Sequence, residues 1–125
     1  MIVVDKFSRT PIYEQIIDAV KMEILNEIWV KNETIPSVRS LSIELSINPN
    51  TIQKAYNELE RLEITYSVPG VGRYVSEDAE NIIKKGMKHS EDLLEKAVAD
   101  LKIAGYSLET IIEKTNIFYG GVSHD

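Results

Sequence analysis

The side chains best suited to chemistry in this 125-residue chain crowd one short stretch: Asn48, Asn50, Thr51, Gln53 and Lys54. A carboxamide carries a donor and an acceptor at a fixed separation, which matches the major-groove edge of adenine; a threonine can meet a thymine methyl or a phosphate. An ordinary solvated helix face would use the same residue types. Catalysis has far less to work with. His89 and His124 lie far apart, and no Ser-His-Asp signature, phosphate-cradling glycine loop or metal-ligand spacing is present. Glu58 and Glu60 stand two residues apart on a helix, so they point to different faces. The absence of cysteine removes thiolate ligands, cysteine nucleophiles and disulfides. The expectation is a binding protein with no enzymatic activity, no metal and no cofactor.

The elements around this stretch are marked by their own residues. Thr10 is a suitable cap and Pro11 a suitable first residue for a helix over about 11–28, where Ile12, Ile16, Val20, Ile24 and Ile28 recur every four residues. Trp29 and Val30 pack at its end, and 31–33 is a polar turn. Pro36 holds Ile35 extended. Ser37 caps a short helix that holds Val38, Leu41, Ile43 and Leu45. Asn48 caps the next, with Pro49 at its first position and Ile52, Ala55, Tyr56, Leu59 and Leu62 spaced three and four apart. Two short helices joined tightly make a helix-turn-helix. Residues 64–68 and 73–75 are β-rich runs flanking Pro69-Gly70-Val71-Gly72, hence a hairpin, and a hairpin in that place is a wing. Gly70 and Gly72 let its tip approach another surface closely.

After Ser76 the composition shifts. An acidic start at Glu77-Asp78-Ala79-Glu80 leads into a helix with apolar residues from Ile82 to Leu101, with Gly86 as a point where it could bend and Gly105 as its end. Ser107 caps a last helix with Leu108, Ile111, Ile112 and Phe118, and fraying is expected from Gly120-Gly121 onward. The fold class is therefore mainly α with a small β-hairpin: a winged helix-turn-helix over 1–76 and a two-helix tail over 77–125. Two amphipathic helices bury little alone, so the tail is expected to pair two copies.

Charge complicates a nucleic-acid reading. The net charge is −6, with −2 in residues 1–76 and −4 in 77–125. The excess acid lies mostly in the tail, so contact with a polyanion would rest on a local patch and would weaken at high salt. No run of apolar residues is long enough to span a bilayer, and the opening Met-Ile-Val-Val is too short for a signal peptide, so a soluble, cytoplasmic protein is expected.

Residues 35–75 resemble the GntR family of bacterial regulators. The resemblance is carried by Ile35-Pro36-Ser37-Val38-Arg39, then Leu41 and Leu45, then Asn48-Pro49-Asn50-Thr51-Ile52-Gln53-Lys54-Ala55-Tyr56-Asn57-Glu58-Leu59-Glu60, and finally Gly70-Val71-Gly72-Arg73-Tyr74-Val75. The opening Pro11-Ile12-Tyr13-Glu14-Gln15-Ile16 also fits. Asn-Pro-Asn-Thr with Gln-Lys-Ala-Tyr looks most like the YtrA subfamily, whose members carry a short two-helix tail. The resemblance implies a homodimeric repressor on a palindromic operator, which in this subfamily often controls a transporter operon. It also implies that Arg39 contacts DNA, that Ser37 sits near a phosphate, and that the helix from Asn48 enters the major groove. Two departures matter. Val71 stands where relatives often have a basic residue, leaving Arg73, one residue beyond the second glycine, to reach the backbone or minor groove. Pro49 and Gln53 stand where some relatives have arginines, so base preference does not transfer.

Two further readings stay open. Lys84, Lys85, Lys88 and His89 could touch flanking phosphates, or balance Glu80 and Glu91 on a solvated face. Tyr106, Phe118 and Tyr119 could line an effector pocket at a dimer interface, or simply pack. The rival to DNA binding is a winged-helix adaptor that binds protein, a reading the acidic balance favours.

Overall fold

A computed structural model describes residues 2–120. Among the described residues the elements are α1 (Ile12–Leu25), α2 (Val38–Leu45), α3 (Pro49–Arg61), β1 (Thr65–Val68), β2 (Gly72–Val75), α4 (Ala79–Ile103) and α5 (Leu108–Tyr119). The expected mainly helical fold with one hairpin is the fold observed. The frayed end expected beyond Gly120, including His124, lies outside the described residues.

The chain divides into two compact units between Lys85 and Gly86. In the first, α1 and α2 pack on α3. Their inner faces supply Ile16, Val20, Leu41, Ile52, Ala55, Tyr56 and Leu59 to one closed core, joined by Ile64, Val75, Ala79 and Ile83. Fully burying each of the large aliphatic side chains contributes about 1.5–3 kcal/mol. Composition alone set the junction at Ser76; the first turns of α4 carry Ala79 and Ile83 into this core, which extends the compact unit to Lys85.

The hairpin is antiparallel, with Thr65 opposite Val75 and Val68 opposite Gly72. It has a third partner that periodicity did not reveal. The Asn32 and Ile35 N–H groups donate to the Val75 and Arg73 carbonyls, and the Val75 N–H donates to Glu33. The segment read as a polar turn therefore pairs with β2 and ties it to the start of α2.

Two local expectations are corrected, and the placement of Ile43 is added to them. Pro11, not Thr10, is the N-cap of α1 and makes no side-chain cap bond; the Thr10 carbonyl instead accepts from Gln15 Nε2 at 2.8 Å. α1 ends at Leu25, because Glu27 adopts φ 58°, leaving Ile28 exposed. Ile43 is 71% exposed: it lies two residues from the buried Leu41, which puts it on the far side of α2.

In the second unit α4 continues unbroken through Gly86 to Ile103, and α5 starts at Ser107, whose side chain accepts from the Thr110 N–H. Val98, Leu101, Ile111 and Ile117 are half-buried. Leu93, Leu94, Ile103, Leu108, Ile112 and Phe118 are exposed, and no residue of α5 is buried.

Candidate nucleic-acid interface

Local chemistry sets both ends of the helix-turn-helix. Ser37 Oγ accepts from the Ser40 N–H and Asn48 Oδ1 from the Asn50 N–H, so each helix start is capped by its own side chain. Between the helices Ser46 takes the left-handed conformation (φ 55°, ψ 44°), and the Ile47 N–H reaches back to the Ser42 carbonyl. Ile47 is thereby drawn into the core, and α3 is set off on its new course.

With Ile52, Ala55, Tyr56 and Leu59 facing inward, the helical period turns Asn50, Gln53, Asn57 and Lys54 outward. Asn50, Asn57 and Lys54 are exposed, and Gln53 and Thr51 are half-buried. Gln53 Nε2 donates to Asn57 Oδ1 at 2.7 Å. Lys54 leans to the flank, with its ammonium 3.9 Å from the centre of the Tyr13 ring on α1. Arg61, one turn beyond Asn57, is held by Glu58, whose carboxyl that hydrogen bond keeps below the usual range. Arg39 is exposed at the start of α2 beside Ser37.

Charge is distributed favourably here despite the acidic total. From Thr34 to Asn57 the chain holds Arg39 and Lys54 against the single acid Glu44, and the first turns of α2 and α3 contain no acidic residue. Each helix N-terminus carries a partial positive charge.

Tyr56 is the pivot beneath the surface. It is fully buried and donates its hydroxyl to the Pro36 carbonyl at 2.8 Å, next to the α2 cap. Burial pushes that hydroxyl well above the usual phenol range, so it stays a donor. The Arg73 guanidinium of β2 lies over the same ring, 5.4 Å from its centre, with Nη1 buried and lacking a hydrogen-bond partner among the described residues. The sequence suggested that Arg73 reaches outward from the wing; the structure turns it inward against α3. The wing tip itself carries Gly70 (φ 75°), exposed Val71 and Gly72 (φ 150°).

The structure adds two residues to those picked out from sequence. Asn57 was legible as the i+4 neighbour of Gln53. Lys6 was not: its ammonium reaches the Ser46 carbonyl in the turn of the motif at 3.3 Å, from 40 residues away. Elsewhere, Lys84 pairs with Glu80 and Lys88 with Asp92, as on a solvated helix face. No group of three or more potential metal ligands occurs among the described residues.

Two helices joined by a tight turn and followed by a hairpin that packs back on the second helix define a winged helix-turn-helix protein. The profile of the gntR family of bacterial regulatory proteins matches residues 12–75. The chain is 41% identical over 114 residues to the HTH-type transcriptional repressor YtrA of Bacillus subtilis strain 168, covering 90% of this chain and 88% of that one. A GntR family transcriptional regulator from Listeria monocytogenes superposes with a TM-score of 0.66 at 34% identity, over 90% of this chain and 97% of its own. YtrA from Sulfolobus acidocaldarius, a GntR-family transcription factor, gives 0.65 at 28%, over 78% and 97%. The chain belongs to the GntR family of bacterial regulatory proteins.

Proposed function

We propose that the protein is a DNA-binding transcriptional repressor that acts in the cytoplasm as a homodimer on a palindromic operator. The observation that carries this reading is the outward strip of α3: Asn50, Gln53 and Asn57 side by side, with Arg39 exposed in the first turn of the preceding helix and no acid in the first turns of either helix. Such a strip offers amides to base edges while Arg39, Ser37 and the helix termini position the backbone. The identity with a repressor over 90% of the chain supports the sign of regulation. Resemblance to the same subfamily supports a transporter operon as the target.

Roles follow from placement. Asn50, Thr51 and Gln53 face the groove, and Asn48 caps the helix that carries them. Lys54 and Lys6 flank it as cations for phosphates. Gly70 and Gly72 bring the wing tip close to the backbone. Arg73 holds the wing on α3 through Tyr56. In the tail, the exposed apolar stripe of α4 and α5 pairs with a second copy. Tyr106, Phe118 and Tyr119, all exposed, are available to a small-molecule effector at that junction.

Selection from a pool of random duplexes at low salt tests the reading. Recovery of an inverted repeat, with half-sites on one face of the duplex, is the expected result. The net charge of −6 favours a rival, a winged-helix module that binds protein. No enrichment of any sequence at any salt would favour that rival, or a regulator that needs a ligand before it binds.

A further inference from the structure

The Gln53–Asn57 hydrogen bond has a consequence for which base is read. Gln53 has two N–H donors on Nε2 and an acceptor, Oε1. Asn57 Oδ1 takes one donor at 2.7 Å, from one turn further along the same outward face. Gln53 is thereby left with one N–H and one carbonyl oxygen.

That remainder is complementary to adenine, which presents N7 as an acceptor and N6–H as a donor in the major groove. It is poorly matched to guanine, which presents two acceptors, N7 and O6. A free glutamine could turn both N–H groups toward those two acceptors. A glutamine that has already given one to Asn57 cannot, and its Oε1 would face guanine O6 across a repulsive gap. Holding the carboxamide in place before DNA arrives also lowers the entropy lost on binding.

We propose that Asn57 is a positioning residue that fixes the Gln53 carboxamide, so that α3 selects adenine over guanine at one symmetric position in each half-site. The proposal rests on the DNA-binding reading above and adds the base and the residue that enforces it. Neither side chain belongs to the buried core: Asn57 is exposed and Gln53 half-buried on the flank of α3.

The test is sequence selection on the full-length protein, followed by competition between duplexes that differ only at the selected position. Wild type should favour adenine there by roughly 5- to 150-fold. Gln53→Ala should flatten the preference at that position alone. Asn57→Ala should lower adenine-over-guanine discrimination at that position by about five-fold, the weight of one hydrogen bond, and leave the base preferences at the other positions of the half-site as they are. Asn57→Asp keeps the acceptor, so it should retain the base preference while its charge lowers affinity for every sequence. In the double variant Gln53→Ala/Asn57→Ala the second substitution should add nothing at that position. A selected site whose base preferences ignore Gln53→Ala would overturn the assignment of adenine to Gln53 and leave the DNA reading intact. Discrimination unmoved by Asn57→Ala would overturn the positioning role alone. Absence of any selected site in wild type would sink the DNA-binding reading and this proposal together.

Discussion

The two units of this chain handle apolar side chains in opposite ways. Every buried hydrophobic among the described residues lies between Ile2 and Ile83, in the unit that ends at Lys85. From Gly86 to Gly120 none is buried, although that stretch includes Ile103 at 85% exposure and Phe118 at 71%. The first unit has a sheet, three helices and the start of a fourth to close around one core. The second has two helices, which cannot enclose each other's apolar faces. A closed core fits a scaffold that must hold α3 rigidly; an open stripe fits a surface built to be covered.

The sharpest way to break this contrast is to delete equivalent volumes on both sides. Leu59→Ala should cost the first unit about 2–5 kcal/mol in urea unfolding, because Leu59 is fully buried. Leu94→Ala should leave that transition where it is and change only the concentration dependence of assembly. Equal losses from the two would mean that the units share a core.

A truncation after Lys85 comes next. The cut keeps Ala79 and Ile83, so the product should stay folded by circular dichroism. It should sediment as a monomer and bind a full palindrome at least about 100-fold more weakly, since the gain from tethering two half-site contacts is lost. A dimer that survives the cut would move the pairing surface into the first unit.

Arg39→Ala is expected to reduce operator affinity by about tenfold at low salt, with an unchanged melting temperature, because the side chain is exposed and lies outside the core. Melting and binding that fall together would give Arg39 a structural role instead.

The smallest effect concerns helix ends. Four helices end in the same way, with a residue in the left-handed region and a backbone bond reaching back over the last turn. These residues are Glu27, Ser46, Glu63 and Gly105. Only the last is the glycine that this conformation favours. Glu63→Gly should therefore stabilise the first unit by about 0.5 kcal/mol, relief of backbone strain being partly offset by the extra freedom of the unfolded chain. Loss of stability on that change would show that the Glu63 side chain contributes more than its backbone strain costs.

These ends also explain which boundaries were legible. Ser37, Asn48 and Ser107 announce helix starts because a cap is a bond between near neighbours in sequence. Gly105 announces an end for a similar reason. Glu27, Ser46 and Glu63 announce nothing, since their residue types do not demand a positive φ; surrounding packing imposes it. The end of α1 was accordingly read three residues too late.

The candidate interface divides along the same line. Which residues α3 turns outward was settled by the sequence itself, because the 3.6-residue period links the buried Ile52, Ala55, Tyr56 and Leu59 to the exposed Asn50 and half-buried Gln53. The HTH motif and the wing that follows it are likewise local patterns, readable from caps, periodicity and turn residues. What each side chain does on that surface was decided by the tertiary structure. Lys54 leans on Tyr13, Arg73 turns inward over Tyr56, Tyr56 anchors to Pro36, and Lys6 reaches Ser46. Each of these contacts joins residues far apart in the chain, and only packing of the core brings them within reach.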